Sequence, residues 1–171
     1  MSRPFLMYPD RRLRVRAAPV TAVDARVRVV WAEMLAAMYA MPGVGLAAPQ
    51  LGEMLRLAVV DASDACDAPV RMANPEIVAQ SKALRTGQEG SPNLPGLWAD
   101  VTRPAEVTVR FLDSAGAVAE QAFQGLWAAS VQHQIDHLEG RLFIDRLSPT
   151  RRRMLIARHQ KRVRRAGGAA G

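Results

Sequence analysis

The chain has 171 residues, of which 49% are hydrophobic, and this length suits one domain with a substantial core. It contains no run of 18 apolar residues, which excludes a transmembrane helix, and no cysteine besides Cys66, which excludes an internal disulfide. The segment after Met1 lacks the features of a secretory signal, which favours a cytoplasmic protein. The formal net charge of +7 comes from residues 151–165, which hold eight Lys and Arg residues, whereas the remainder holds 15 bases and 16 acids. We expect a cytoplasmic protein without membrane contact.

The first predicted helix follows Asp24, which can cap its N-terminus. Apolar residues recur at helical spacing over Val27–Met41, and Pro42-Gly43 ends the pattern. Three later segments have the apolar content of strands and are separated by clusters of Asp, Ser, Pro and Gly: Leu55–Val60, Arg71–Val78 and Glu106–Leu112. The middle of the chain is therefore predicted to form a mixed or antiparallel sheet.

Two further helices are predicted near the C-terminus. One runs from about Leu126 to Leu138, and Gly140 suits the left-handed position beyond its end. The other begins near Ser148-Pro149 and continues as a basic helix over residues 149–165, while residues 166–171 are expected to form a flexible tail. This basic helix is either a solvated helix end or a contact for an anionic surface such as RNA.

Together these elements predict an α+β fold, with mixed or antiparallel sheets around a central helix and a basic helix at the C-terminus. No internal repeat and no interdomain linker is visible, so residues 1–171 are expected to form a single domain.

The predicted central helix carries a pair of histidines. Residues 132–140 read Gln-His-Gln-Ile-Asp-His-Leu-Glu-Gly, which places His133 and His137 one turn apart on one helix face, where two imidazoles can share a metal ion. In the pattern His-Glu-x-x-His, a carboxylate after the first histidine takes the proton from metal-bound water. That position is Gln134, and a carboxamide cannot be this base. On spacing alone, such a pair is more often structural or at the surface than bound to a metal ion.

Two glycine-rich segments accompany the histidines. Gly43-Val-Gly-Leu-Ala-Ala-Pro-Gln50 ends in an amide donor, and Glu89-Gly-Ser-Pro-Asn-Leu-Pro-Gly96 is punctuated by Gly and Pro. Taken separately, each segment is predicted to be an ordinary loop.

In this order and spacing, the three segments resemble the signature motifs of the peptide deformylases, which remove the formyl group from the N-terminal methionine of nascent chains. The similarity extends over nearly the whole chain, and it includes these further segments: Tyr8–Arg14, Asn74–Ile77, Val101–Pro104, Gly140–Asp145 and Leu147–Pro149. The resemblance implies the deformylase fold and a metal-dependent hydrolysis of N-formylmethionyl peptides.

The second motif departs from the family pattern Glu-Gly-Cys-Leu-Ser at the metal ligand. The family's cysteine is a thiolate ligand to Fe²⁺, or to Zn²⁺ or Ni²⁺ in its place, and here Ser91 offers only a neutral hydroxyl. The resemblance therefore implies a metal site of His133, His137 and Ser91 whose affinity has fallen by orders of magnitude. We expect no tightly bound cofactor. If Fe²⁺, Zn²⁺ or Ni²⁺ binds, we expect His133 and His137 to hold it weakly.

Two further departures concern catalysis. In the resembled enzymes, the backbone N–H after the cysteine and the amide matching Gln50 hold the formyl oxygen, but Pro92 has no N–H. Gln134 stands where the family uses glutamate as the base. Losing an oxyanion donor costs roughly 10²- to 10³-fold in rate, and losing a general base costs about 10²- to 10⁴-fold. Of the reactive centre, only Gln50 and the histidines remain.

The resemblance also assigns residues to the binding of a peptide N-terminus: Val44, Gly45, Glu89, Pro92, Arg103, Leu126, Ala129 and Ser130. Core packing is the alternative for the apolar members of this set. Asp136 is expected to point away from the metal position and to pair with an arginine such as Arg103.

Two functions follow from these residues. The first is a deformylase-like pseudoenzyme that binds peptide N-termini, with the ribosome or its RNA as a further partner of the basic C-terminal helix. The alternative is an active metal-dependent amide or formyl hydrolase with a metal site rebuilt on Ser91, on Glu89 or on the single thiol, Cys66.

Overall fold

The computed structural model describes residues 3–168. It contains three α-helices, α1 (Ala25–Ala40), α2 (Gly125–Leu138) and α3 (Pro149–Gly168). The strands are β1 (Gly45–Ala47), β2 (Leu57–Val60), β3 (Val70–Gln80), β4 (Leu84–Ser91), β5 (Leu94–Pro104), β6 (Glu106–Leu112) and β7 (Val118–Gln124). Short 3₁₀ helices lie at Arg11–Arg14, Ala48–Leu51 and Phe143–Arg146. Within the described residues, no helix is long and apolar enough to cross a membrane.

The strands form two antiparallel sheets. Five of them pair in the order β1-β2-β3-β6-β7, and β4 pairs with β5 in a separate hairpin. The expected α+β class and antiparallel pairing are therefore confirmed.

Strand β2 lies between two hydrophobic cores because its successive side chains point to opposite faces. Leu57 and Val59 belong to a core that includes Trp31 and Met34 of α1, while Ala58 and Val60 belong to a core that includes Val131 of α2. The five-stranded sheet is thus covered by α1 on one face and by α2 on the other. A third core joins the β4–β5 hairpin to the 3₁₀ helix at 143–146 and to α3.

The predicted helix positions agree closely with the structure. The Asp24 carboxylate accepts a hydrogen bond from the Val27 N–H at 2.9 Å and caps α1. Gly140 follows α2 with φ of 73°. Helix α3 begins at the predicted Pro149 but extends to Gly168, past the predicted end at residue 165, and residues 169–171 lie outside the described part of the chain.

Four strands were not predicted, and the two segments expected to be loops are largely regular. Residues 43–50 contain β1 and most of a 3₁₀ helix, and residues 89–96 hold the end of β4, a tight turn at Pro92-Asn93 and the start of β5. Strands β4 and β7 were not predicted because β4 has only one large apolar residue, Leu84, and five of the seven residues of β7 are exposed, so neither shows a clear alternation. Pro and Gly near the start of β5 concealed its alternation of buried and exposed residues.

Helix α3 is tied to the N-terminal segment at one histidine. Leu155 and His159 are its buried residues, and the His159 ring Nε2–H donates to the Tyr8 carbonyl at 2.9 Å. The rings of Tyr8 and His159 also meet edge to face. From Gln160 onward every described side chain is exposed.

Gly140→Ala should destabilise the fold more than Gly116→Ala, a matched control. Both glycines have φ near 80°, at 73° and 81°, and a left-handed alanine costs roughly 1–2 kcal/mol. A Cβ on Gly140 would also lie 2.5 Å from the Arg14 carbonyl oxygen, whereas at Gly116 the nearest atom is 3.7 Å away. Urea unfolding should show the larger loss at Gly140, and equal losses would contradict this assignment.

Candidate active site

The three predicted motifs meet at one buried centre. Helix α2 supplies His133, Gln134 and His137, while the end of β4 supplies Ser91 and the 3₁₀ helix at 48–51 supplies Gln50. All five side chains are buried, at 1–9% exposure. The fold thus brings together residues that are far apart in the sequence.

The two histidines contact each other directly. Their Nε2 atoms are 3.2 Å apart, and the Nδ1 atom of His133 lies 2.8 Å from a Glu89 carboxylate oxygen. Because a carboxylate only accepts, His133 Nδ1 carries the proton that it donates to Glu89, and the two Nε2 atoms share a second hydrogen bond. The imidazole nitrogens that would face a metal ion therefore satisfy each other.

His137 is left with one unpartnered nitrogen. Its Nδ1 atom is buried and has no hydrogen-bond partner among the described residues. Burial, together with the charges of His133 and Arg103, lowers the pKa of His137 well below its usual value of 6.5. The ring is therefore neutral at physiological pH.

Glu89 orients His133 and belongs to a buried ion network. Both Glu89 oxygens accept from Arg103, at 2.7 and 2.8 Å, and Arg103 also donates to Asp136 at 2.9 Å. Asp136 accepts two further hydrogen bonds from Arg146. Burial raises the pKa of Glu89, but the hydrogen bonds and charges of Arg103 and His133 outweigh it and lower the pKa to about 2. The predicted Asp136–Arg103 pair is present.

The residues do not fit a metal ion well. Glu89 contacts the Nδ1 side of His133, opposite the Nε2 that faces His137, so it does not complete a site between the Nε2 atoms. Cys66 is exposed in the loop after β2, outside this centre. Over residues 3–168, no group of three His, Cys, Asp or Glu side chains could hold an ion. The remaining donor, Ser91, is a neutral hydroxyl.

The hydroxyl of Ser91 is engaged elsewhere. It donates to the Asn93 side-chain oxygen at 2.9 Å, and the same oxygen accepts from Gln50 Nε2 at 2.9 Å. Ser91 thus gives its proton to an amide rather than to a histidine, and it is not an activated nucleophile. Asn93 was missed by the sequence analysis. Its signal was available, because it replaces the serine that ends the family's second motif.

Comparison with known proteins gives the family. The sequence profile of the polypeptide deformylase family matches residues 2–153. The peptide deformylase of Mesorhizobium japonicum is 43% identical over 161 residues, covering 93% of this chain and 92% of the relative. That of Nitrosococcus oceani is 44% identical over 160 residues, covering 93% and 95%. The chain belongs to the peptide deformylase family.

Solved structures of the peptide deformylase family share this fold. The crystal structure of a peptide deformylase from Legionella pneumophila superposes with a TM-score of 0.89 at 39% identity and covers 98% of both chains. The resemblance inferred from the motifs is therefore confirmed.

The residues assigned to peptide binding lie around this centre and differ in their burial. Gly45 packs against Gln134, since a Cβ there would lie 2.5 Å from Gln134 Nε2, and Ser130 donates to the Val44 carbonyl at 3.0 Å. Val44 and Leu126 are 38% and 46% exposed, so core packing does not explain them. Ala129 and Pro92 are half-buried, and Arg103 lies behind Glu89 in the ion network.

The free energy of unfolding should fall in two stages as the pH is lowered. His137 has a folded pKa below 6.5, so its contribution is present above pH 6.5 and is lost as the pH falls towards the folded value. Glu89 contributes above pH 4.5, and its contribution is lost between pH 4.5 and about 2. Calorimetry across this range measures both stages.

His137→Gln should remove the first stage and retain the second. A melting temperature that rises on acidification from pH 7 to 5.5 would show that the histidines gain a proton on folding.

Proposed function

We propose that this chain is a pseudoenzyme of the peptide deformylase family, which binds peptide N-termini but does not release formate at the rates of its relatives. The observation that carries the proposal is the donor set of the buried centre, which offers two imidazoles and a neutral hydroxyl but, among residues 3–168, no third His, Cys, Asp or Glu placed to complete a metal site. A cytoplasmic location, as predicted from the sequence, suits this role.

Charge balance supports the absence of a resident ion. In the family, a thiolate and a glutamate place two negative charges around a divalent cation. Ser91 and Gln134 are both neutral, so the two substitutions remove two negative charges and thereby offset the two positive charges that are lost without the cation. The nearby carboxylates, Glu89 and Asp136, are already paired with Arg103 and Arg146. A divalent ion entering this site would bring charge that no side chain balances.

Two catalytic groups, the general base and one oxyanion donor, are absent even if an ion binds. Gln134 cannot accept a proton from water, and its own side-chain oxygen is buried without a partner among residues 3–168. Pro92 has no N–H for a developing oxyanion. These losses are not additive, but the larger of them costs about 10²- to 10⁴-fold in rate.

The alternative, an active hydrolase with a rebuilt metal site, receives less support. It requires a third ligand, and Glu89 and Cys66 are both placed away from the two Nε2 atoms. Ser91 would have to lose its hydrogen bond to Asn93 and then ionise.

Peptide binding survives in this proposal because the approach to the centre is retained. Strand β1 ends one sheet and β4 forms one side of the hairpin, so each has an edge not paired to another strand in the described chain. Both lead to the centre, through Gly45 and Ser91. An extended peptide can add to such edges through its backbone, and Val44 and Leu126 offer apolar side chains at the rim.

A second partner is proposed for α3. Its C-terminal half is exposed and basic, with Lys161, Arg162, Arg164 and Arg165. We propose that this half contacts RNA phosphates, on the ribosome or elsewhere, with an affinity that falls steeply with salt.

Purified protein should carry less than stoichiometric iron, zinc or nickel and should release formate from a formyl-Met peptide about 10²-fold or more slowly than an active relative. The peptide deformylase of Legionella pneumophila is the matched control for elemental analysis and formate assay. Stoichiometric metal together with a comparable rate would refute the proposal.

Restoring the two charged residues should restore stabilisation by a metal ion, which the unmodified protein should lack. Gln134→Glu alone should lower the melting temperature at pH 8 more than at pH 5, because a buried unpaired carboxylate costs several kcal/mol when ionised. In Ser91→Cys/Gln134→Glu, Ni²⁺ should raise the melting temperature. At a Ni²⁺ concentration 100 times the dissociation constant, binding adds about 2.7 kcal/mol to the free energy of unfolding. The unmodified protein should show no such shift.

Adding Pro92→Leu to that pair should increase formate release by a factor on the order of 10², through the restored N–H. Full activity in the double variant alone would show that the missing N–H is unimportant.

A further inference from the structure

We propose that Asn93 is a positioning residue that withdraws the side-chain amide of Gln50 from the reaction. The inference rests on the proposed function, because it adds a fourth substitution to those at Ser91, Pro92 and Gln134. It concerns the one catalytic side chain that this chain shares with active members of the family.

Every hydrogen-bonding atom of the Gln50 side chain is occupied. Its oxygen accepts from the Ala47 N–H at 2.9 Å, which fixes the orientation of the amide. Its Nε2 has two hydrogens, and it contacts the Asn93 oxygen at 2.9 Å and Ser91 Oγ at 3.4 Å. No N–H of Gln50 is left for an incoming carbonyl oxygen.

Asn93 cannot turn away to release Gln50. Its Nδ2 donates to the Leu6 carbonyl at 2.5 Å and lies 3.4 Å from the Gln50 carbonyl. Rotating the amide by half a turn would place its oxygen against these two carbonyls, and the residue is fully buried. The backbone is also held, because the Tyr8 N–H donates to the Asn93 carbonyl at 2.9 Å.

A serine at this position could not make the same set of contacts. Its hydroxyl has a single hydrogen, and its side chain is shorter than that of asparagine. It therefore cannot donate to the Leu6 carbonyl and at the same time accept from both Gln50 and Ser91. The serine that ends the family's second motif therefore leaves the glutamine amide less restrained. In this chain, the Asn93 oxygen accepts hydrogen bonds from both Gln50 and Ser91. Both side chains therefore stabilise the fold and are not available to a substrate.

The test compares two variants loaded with Ni²⁺. The parent is Ser91→Cys/Pro92→Leu/Gln134→Glu, and the second variant adds Asn93→Ser. Freeing an oxyanion donor should raise kcat by about 10²-fold while KM changes little, because the donor acts on charge that develops in the transition state. An unchanged kcat would overturn the inference. Asn93→Ala in the same background should also raise kcat, and it replaces Asn93→Ser in the test if the serine variant does not fold.

Asn74→Ser is the matched control. Asn74 also ties two segments, through hydrogen bonds to the Val20 N–H and carbonyl, but it does not touch Gln50. In the triple background it should leave kcat unchanged, whatever its effect on stability. An equal rise in kcat from Asn74→Ser would mean that loosening the fold, rather than releasing Gln50, causes the gain.

A second readout uses the unmodified sequence and needs no activity. The side-chain amide protons of Gln50 should exchange with solvent far more slowly than those of the exposed Gln121, and Asn93→Ser should accelerate the exchange at Gln50. Rapid exchange in the unmodified protein would overturn the inference even if the triple variant is inactive. The proposed function would stand in that case, since it depends on metal content and formate release.

Discussion

Each buried carboxylate of the centre is paired with a guanidinium group, and the other features of the site depend on that pairing. Two carboxylates, Glu89 and Asp136, are balanced by two guanidinium groups, Arg103 and Arg146. The remaining groups are two imidazoles, three amides and a hydroxyl, so no anion is left to balance a metal ion. An active deformylase reaches neutrality with a dication and two anions. Serine for cysteine and glutamine for glutamate are close in size, so one backbone accommodates either solution.

Hydrogen bonds here connect the elements that a metal ion would otherwise join. Glu89 links β4 to α2 through His133, and Asn93 links the hairpin turn to Gln50 and to the N-terminal segment. A fully paired polar network of this kind fixes one arrangement, because each unpaired buried group would cost free energy. The exceptions are Gln134 and His137, each with one unpartnered atom. Both stand where the family's reaction takes place.

The helices and the apolar strands could be predicted from periodicity because they are amphipathic or mostly buried. Strands β4 and β7 could not, since neither has large apolar residues in regular alternation. Similarly, the motifs indicated which residues form the centre but not how their hydrogen bonds are distributed. The contact of His133 with Glu89, 44 positions away, depends on the hairpin register. The role of Asn93 depends on backbone carbonyls at Leu6 and Gln50, which no side-chain motif encodes.

The contact between His159 and Tyr8 gives the C-terminal helix a role in the architecture of the centre. Residues after 153 lie outside the family profile. His159 nevertheless donates a hydrogen bond to the Tyr8 carbonyl, and the Tyr8 N–H donates to the Asn93 carbonyl. Tyr8 is thus the one residue between His159 and Asn93 in this series of hydrogen bonds. Removing the residues after 153 would therefore remove a support of the pocket, and the part of α3 that reaches His159 belongs to the architecture of the centre.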